Sequence, residues 1–493
     1  MSFRKFAIKI LGLLALAAAC VPAPPAVGQA KAEYSNMRLI GYEDLEGRPA
    51  YQLVIQRQGD RWIAYIGTQA GKTPQLNRLN GKAEPNGTLI VDVTDPRHPK
   101  YIAHIPGELI EDEGGAEFVR ACSGSDLPRA DKRKFNLLRN HGQIAQEMWD
   151  VTDPANPHRL NIIVNYGDRP HDIHKSWWEC DTGVAYFVAG PLDWPAPPKG
   201  SHHDAGDHVL IYDLSDPAKP KFIRSFGLPG QEPGSSLPQP LVGLHGVLST
   251  GPKGNRVYFS NGNDGDGIVE IVDREKLLNG DRTPTDENLL YPVAGRIELP
   301  PDVGSEMSFP LVHMDLPEFA KQKEGSTKDF LAVIGEGHKP FMECQGNRQM
   351  LHIFDVTHVT KPLGVSTWTV PEASGNFCGR GGSFGTQSAN ESFSPAYYNR
   401  VMFIAHFNAG VRAIDIRDPY HPKEVGFYIP AVTSKTRKSC HGEGAEQRCA
   451  IVIQTDYVET DDRGFIYAID RAGTGLHILE LTGEAREAAA SSK

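Results

Sequence analysis

Several absences narrow the field first. No stretch of the 493 residues clusters basic side chains, and the formal net charge is −10, so nucleic acid is not an expected partner. After Ile10–Ala19 no apolar run is long enough to cross a bilayer. Gly379–Gly385 (G-R-G-G-S-F-G) lacks the strand-loop-helix setting and spacing of a phosphate-binding loop. Asn261–Gly267 (N-G-N-D-G-D-G) opens on Asn and has no closing bidentate Glu, so a tight acidic turn is expected there, not a calcium loop.

What is present is turn chemistry and repetition. The chain has 50 Gly and 37 Pro. Leu89–Pro99 (L-I-V-D-V-T-D-P-R-H-P) returns at Met148–Pro157, Leu210–Pro220 and Ala413–Pro422, with weaker copies at Ile268–Asp273, Leu351–Pro362 and Leu476–Leu481. Each strong copy is a short apolar strand followed by Asp-Pro-x-x-Pro. Proline fixes φ and aspartate can bond its own backbone, so the segment turns. Residues after it, such as Lys100–Ile105 and Lys221–Phe226, alternate apolar and polar, which predicts another strand. Apolar runs precede most copies, at Trp62–Ile66, Val184–Val188, Arg256–Phe259, Phe330–Ile334, Val401–Ala405 and Phe465–Ile469, with no equally clear run in the second unit.

Between the equivalent acidic residues Asp92, Asp150, Asp213, Asp273, Asp355, Asp415 and Glu480 the period is about 60 residues, with one longer interval before Asp355. That suits four-stranded units with decorated loops. The expected fold is all-β, a seven-bladed β-propeller of four-stranded antiparallel blades, closed so that no sheet edge is left open. The motif, with Leu89–Asp92 nearly spelling the name, resembles the LVIVD repeat. That resemblance covers most of the chain and implies a propeller far more firmly than an activity.

The expected organisation is a signal segment over 1–30, one propeller over 31–484 with its first blade starting near Tyr34, and a disordered tail over 485–493. Arg4, Lys5 and Lys9 ahead of Ile10–Ala19 read as an export signal, with cleavage after Ala30. A competing reading makes Cys20 a lipoprotein anchor, although Ala17 stands where leucine is usual. The expected location is the periplasm or the exterior, with membrane attachment only through Cys20. Six further cysteines suggest disulfides: Cys440 with Cys449 first, then Cys344 with Cys378 and Cys122 with Cys180. Arg274–Glu287 and Leu316–Lys328 read as short helices with loops, and Thr68–Asn86 and Cys122–Lys134 as loop insertions.

The chain has 18 histidines, and some keep register with the repeat. His141 and His406 stand nine residues before Asp150 and Asp415, and His338 sits in the same loop of its blade. His171, His174, His245 and His313 lie near the start of innermost strands. In an up-and-down blade the start of the first strand and the end of the second share a face, so both sets are expected at one channel mouth. The Asp-Pro turns fall on the opposite face, with His98, His158, His358 and His421 near them.

Imidazoles gathered on an axis suit Cu, Fe or Zn, and His174, His245, His313, His338 and His406 are the candidate ligands. The layout is similar, by architecture only, to propeller oxygenases and selenium-binding or methanethiol-oxidase-type proteins. His141 and His171 are candidate acid/base residues, with Arg139, Arg169 or Arg380 stabilising an anion in a metal-free alternative. Against both stands a structural reading, in which the histidines hydrogen-bond neighbouring blades. Trp177 and Trp178 are expected to pack, while Trp194 and Phe341 could line a pocket. The function expected is a metal-dependent oxidoreductase or hydrolase acting on a small organic molecule. The alternative is a scaffold that binds a ligand or protein. Oligomeric state is left open.

Overall fold

A computed structural model describes residues 26–27, 31–71, 73–109, 114–165, 173–191, 193–195, 208–316, 325–337, 348–441 and 447–490. Seven antiparallel sheets of four blade strands each follow one another around a ring, as the repeat predicts. Blades I to VI have innermost strands Ala50–Gln58, Val119–Ser123, Ser176–Trp178, Leu244–Ser249, Met307–Asp315 and Ser388–Ala389. Blade VII starts with Thr455–Thr460.

The LVIVD-like segments are the third strands, from Gly87–Asp92 in blade I to Leu476–Leu481 in blade VII, and the apolar runs before them are the second strands. Blade II does have a second strand, Phe135–His141, hidden in the sequence by its polar Asn136, Arg139 and Asn140. The repeat's aspartate has a backbone task. Its Oδ1 accepts from the amide two residues on: Thr94 at 3.0 Å, Thr152 at 2.9 Å, Ser215 at 2.9 Å, Thr357 at 3.0 Å and Arg417 at 3.0 Å. That bond replaces the ladder partner lost as the chain turns. His98 and His421 each bond the aspartate of their Asp-Pro step, Asp95 and Asp418, so they belong to the turns.

The apolar core lies between blades. Leu248 and Tyr258 of blade IV pack with Phe309 and Leu331 of blade V, and these with Met402 and Ile404 of blade VI. Second strands are therefore buried on both faces, as Val401–Ala405 is throughout, and read as continuous apolar runs.

Ring closure differs from the expectation by a strand. Met37–Glu43 pairs antiparallel with Leu476–Leu481 and is the outermost strand of blade VII, while Glu33–Ser35, with Tyr34, adds to the edge of blade VI. Blade I begins only at Ala50. The expected disordered tail is also corrected as far as residue 490: Gly483–Ala490 is a helix that buries Ala485 and Ala488, and 491–493 lie outside the described residues. Alanine has the best helix propensity, and small side chains let the helix settle onto blade VI.

Cys122–Cys180 and Cys440–Cys449 are disulfides, as expected. Cys344 lies outside the described residues, so its pairing with Cys378 does too. Arg274–Asn279 and Asp286–Leu290 are short helices. Most of Leu316–Lys328 is outside the described residues. Among those residues no helix is long and apolar enough to cross a membrane.

Candidate functional site

Two backbone registers bring side chains to one mouth of the ring. Starts of innermost strands supply Tyr51, Phe118, Lys175, His245, Glu306 and Asp456. Ends of second strands and the residues just after them supply Asn263, Glu336 and Arg471. Close approach of blades IV and V is what brings Glu306 and Glu336 in. A Cβ on Gly246 would come within 2.4 Å of the Glu306 carbonyl oxygen, and one on Gly304 within 1.8 Å of that of Asn263.

At the centre the Nε2 atoms of His174 and His245 lie 2.9 Å apart. The Nδ1 of His245 contacts the Glu306 carboxylate, whose other oxygen accepts from the Lys175 ammonium. His174 Nδ1 lies 3.9 Å from Glu117, and its ring packs edge-on against Phe118 at 4.5 Å between centroids. Glu336 accepts from Asn263 Nδ2 at 2.9 Å and pairs with Arg471 at 3.3 Å. Arg471 also pairs with Asp456 and stacks on Tyr51 and Phe407. Donor atoms of His245, Glu306 and Glu336 all lie within 4.8 Å of one another, and all three residues are buried.

Burial governs the protonation states here. It drives His174 well below the ordinary imidazole value, and His245 and then Lys175 push the same way, so the ring is neutral at pH 7. Asp456 is raised well above the usual carboxyl range by burial, against the pull of Arg471. Burial opposes charge on Arg471, but Asp456, Tyr51 and Glu336 outweigh it and raise its affinity for the proton.

The other expected site residues fall elsewhere. His313 is corrected first: the innermost strand of blade V starts at Met307, so His313 is near its far end, inside the register shift between Leu311 and Met314. Its side chain is 82% exposed, and its backbone, with φ of 53°, donates to Asp329 at 2.7 Å on the turn face. The residue that matches His245 in blade V is Glu306.

His406 is at the right height but turned sideways. Its ring lies between Phe384 and Trp368, and neither ring nitrogen has a partner among the described residues. The tight turn His406–Gly410 instead sends Phe407 onto Arg471.

Arg139 is a buried structural ion pair. It bonds Glu147 at 2.9 Å and the carbonyls of Ile105 and Pro106 in the preceding blade. His141 bonds Glu108 at 3.0 Å in the same inter-blade seam. Arg380 pairs with Glu33 at 3.0 Å and bonds the Gly375 carbonyl, away from His245. Trp194 packs on His208, Trp178 is buried, and Trp177 lies under Arg120. His171, Arg169, His338 and Phe341 lie outside the described residues.

Lys175, Glu306, Glu336, Asp456 and Arg471 were missed because only histidines were followed through the register. Applied to every polar residue, the same two offsets point to them: Glu336 and Arg471 each stand two residues beyond an apolar run, Phe330–Ile334 and Phe465–Ile469.

The class that this architecture defines is a seven-bladed propeller with a buried His/Glu/Lys/Arg cluster at one mouth. No family model matches the chain, and no curated protein does. Among solved structures it is similar to Chaetomium thermophilum Raptor, at 8% identity and a TM-score of 0.51, over 92% of this chain and 29% of that one. It also matches a candidate 6-phosphogluconolactonase of Bacteroides uniformis, at 10% identity and a TM-score of 0.44, over 85% of this chain and 94% of that one. At such identities the likeness concerns the fold alone, and the chain spans under a third of the Raptor chain's length.

Proposed function

We propose that this is an exported, metal-dependent enzyme acting on a small organic molecule at the histidine mouth, in keeping with the LVIVD-repeat resemblance. One observation carries the reading: two imidazole Nε2 atoms converge at 2.9 Å while the Glu306 carboxylate contacts the outer nitrogen of His245. That contact favours the Nδ1–H tautomer of His245, so its Nε2 lone pair faces His174. A cation held there would take that lone pair. His245 and Glu336 lie in one group with Glu306, their donor atoms within 4.8 Å of one another, and with His174 alongside they offer imidazole and carboxylate donors that suit Zn, Fe or Cu.

In this reading Glu306 orients His245 through Nδ1, and Lys175 balances the Glu306 charge, the arrangement that ligating histidines commonly show. The ion would polarise a substrate oxygen or lower the pKa of bound water. Arg471 stands next to Glu336 and offers positive charge toward developing negative charge. Export is supported by the two disulfides and the leader-like N-terminus.

A second reading, a binding scaffold, is favoured by a cleft of about 440 Å³ on the turn face, where Trp177, Phe393 and Tyr398 offer aromatic surface. Elemental analysis of the purified, untagged protein separates the two. Near-stoichiometric transition metal, lost in a folded His245→Ala/Glu336→Gln variant, is expected. No metal after incubation with Cu, Zn and Fe would overturn the enzyme reading.

A further inference from the structure

A second concavity, of about 400 Å³, opens beside the histidine site and has Arg471 among its lining residues. That volume is in the range of small-molecule pockets. Arg437, Lys438, Ser383, Ser439 and Gln454 also line it, and among its described lining residues none is acidic. Arg471 is neutralised by Asp456 and Glu336. Among the described residues neither the Arg437 guanidinium nor the Lys438 ammonium has a hydrogen-bond or ion-pair partner.

Arg437 is half-buried, and its backbone is anchored, since its amide donates to the Ala472 carbonyl at 2.7 Å. Lys438 starts the hairpin Lys438–His441/Arg448–Ile451, which the Cys440–Cys449 bridge ties across. Burial and then the nearby Arg48 both disfavour the charge on Arg437. A partly desolvated guanidinium without a counter-ion among the described residues costs stability, and an oxyanion placed there offsets that cost. Gln454 is already committed to Ser383, whose amide it accepts at 2.9 Å, so this wall is rigid.

We infer that this pocket binds the oxyanion end, carboxylate or phosphate, of a small organic substrate, with Arg437 and Lys438 as its anchors and the rest of the molecule directed past Arg471 toward His245. The inference rests on the reading of the neighbouring cluster as a substrate site and adds the substrate's charge class. Arg471 links the two, touching Glu336, which in turn lies within 4.8 Å of His245. Neutral molecules gain nothing from Arg437, so selection is by charge.

The test is calorimetric titration of metal-loaded and chelator-stripped protein with succinate and with glycerol 3-phosphate, using succinamide and glycerol as neutral controls. At least one anion is expected to bind with Kd at or below about 1 mM, and to weaken by about tenfold in Arg437→Gln or Lys438→Gln. Binding should fall with added salt. Whichever anion binds names the head group. Anion binding that persists in a protein found to hold no metal keeps this inference and removes the enzyme reading. Metal bound at the histidines with neither anion saturating, or binding unchanged in both variants, overturns the inference and leaves the metal site standing.

Discussion

An imidazole buried without a hydrogen-bond partner resists protonation, and His406 is held at about 3 by burial, with Arg412 adding to the effect. Its ordinary value is 6.5, so below that pH the unfolded chain takes up a proton that the native ring refuses. Stability from this group is therefore complete above pH 6.5 and is lost as pH falls toward 3. The slope is at most about 1.4 kcal/mol per pH unit. His406→Leu should flatten the fall of Tm with acid across that window, measured by thermal unfolding at a series of pH values. An unchanged slope would assign the acid sensitivity to His104 or His477, each held at about 4 by burial. Glu459 has the opposite sign. Burial raises it to about 8, so what it contributes is present below its unfolded value and lost as pH rises through about 8. At this scale the sequence made His174 and His245 legible, because both keep register with strand starts. His313 misled because strand length cannot be read from sequence spacing: the innermost strand of blade V runs nine residues, Met307–Asp315, and reaches the other face.

Strands were the most legible elements, since period-two alternation and Asp-Pro turns are local signals. The closing strand was not, because Met37–Glu43 carries no repeat and its partner lies at the far end of the chain. It buries Met37 into the core shared by blades VI and VII and leaves Leu39 and Tyr42 exposed. Removing residues 1–43 exposes the edge Leu476–Leu481 and loses the Met37 contact, at a cost of about 2 kcal/mol for that side chain alone. An open apolar edge pairs with another chain. The truncated protein is expected to unfold at lower temperature and to self-associate, as read by light scattering. A monomer with unchanged Tm would mean that the outer strand is dispensable for closure.

For the whole molecule, seven repeats were countable from sequence, and the ring followed from the need to cover sheet edges. What could not be read was which residues meet at the centre, because Glu306 and Glu336 come from blade V, His245 from blade IV and Arg471 from blade VII, and local spacing says nothing of contacts between blades. The two bridges act on this scale in unequal measure. Cys122–Cys180 spans 58 residues and joins blade II to blade III, whereas Cys440–Cys449 spans 9 within one hairpin. Loop-closure entropy gives the first an upper bound of about 4 kcal/mol and the second about 2.5 kcal/mol. Urea unfolding of Cys122→Ser/Cys180→Ser should therefore show a larger loss than Cys440→Ser/Cys449→Ser, and the reverse order would show that denatured-state entropy is not what the bridges act on.

Ring closure also sets a timetable. Arg38 and Glu480, bonded at the seam, are 442 residues apart. The first blade strand to leave a ribosome is thus the last to find its neighbour. Until Leu476–Leu481 has been synthesised, Met37–Glu43 has no sheet to join, and the growing chain carries an open edge for the whole of its elongation. Such a chain stays threadable while it is being made and becomes a closed object only when its two ends are in the same compartment.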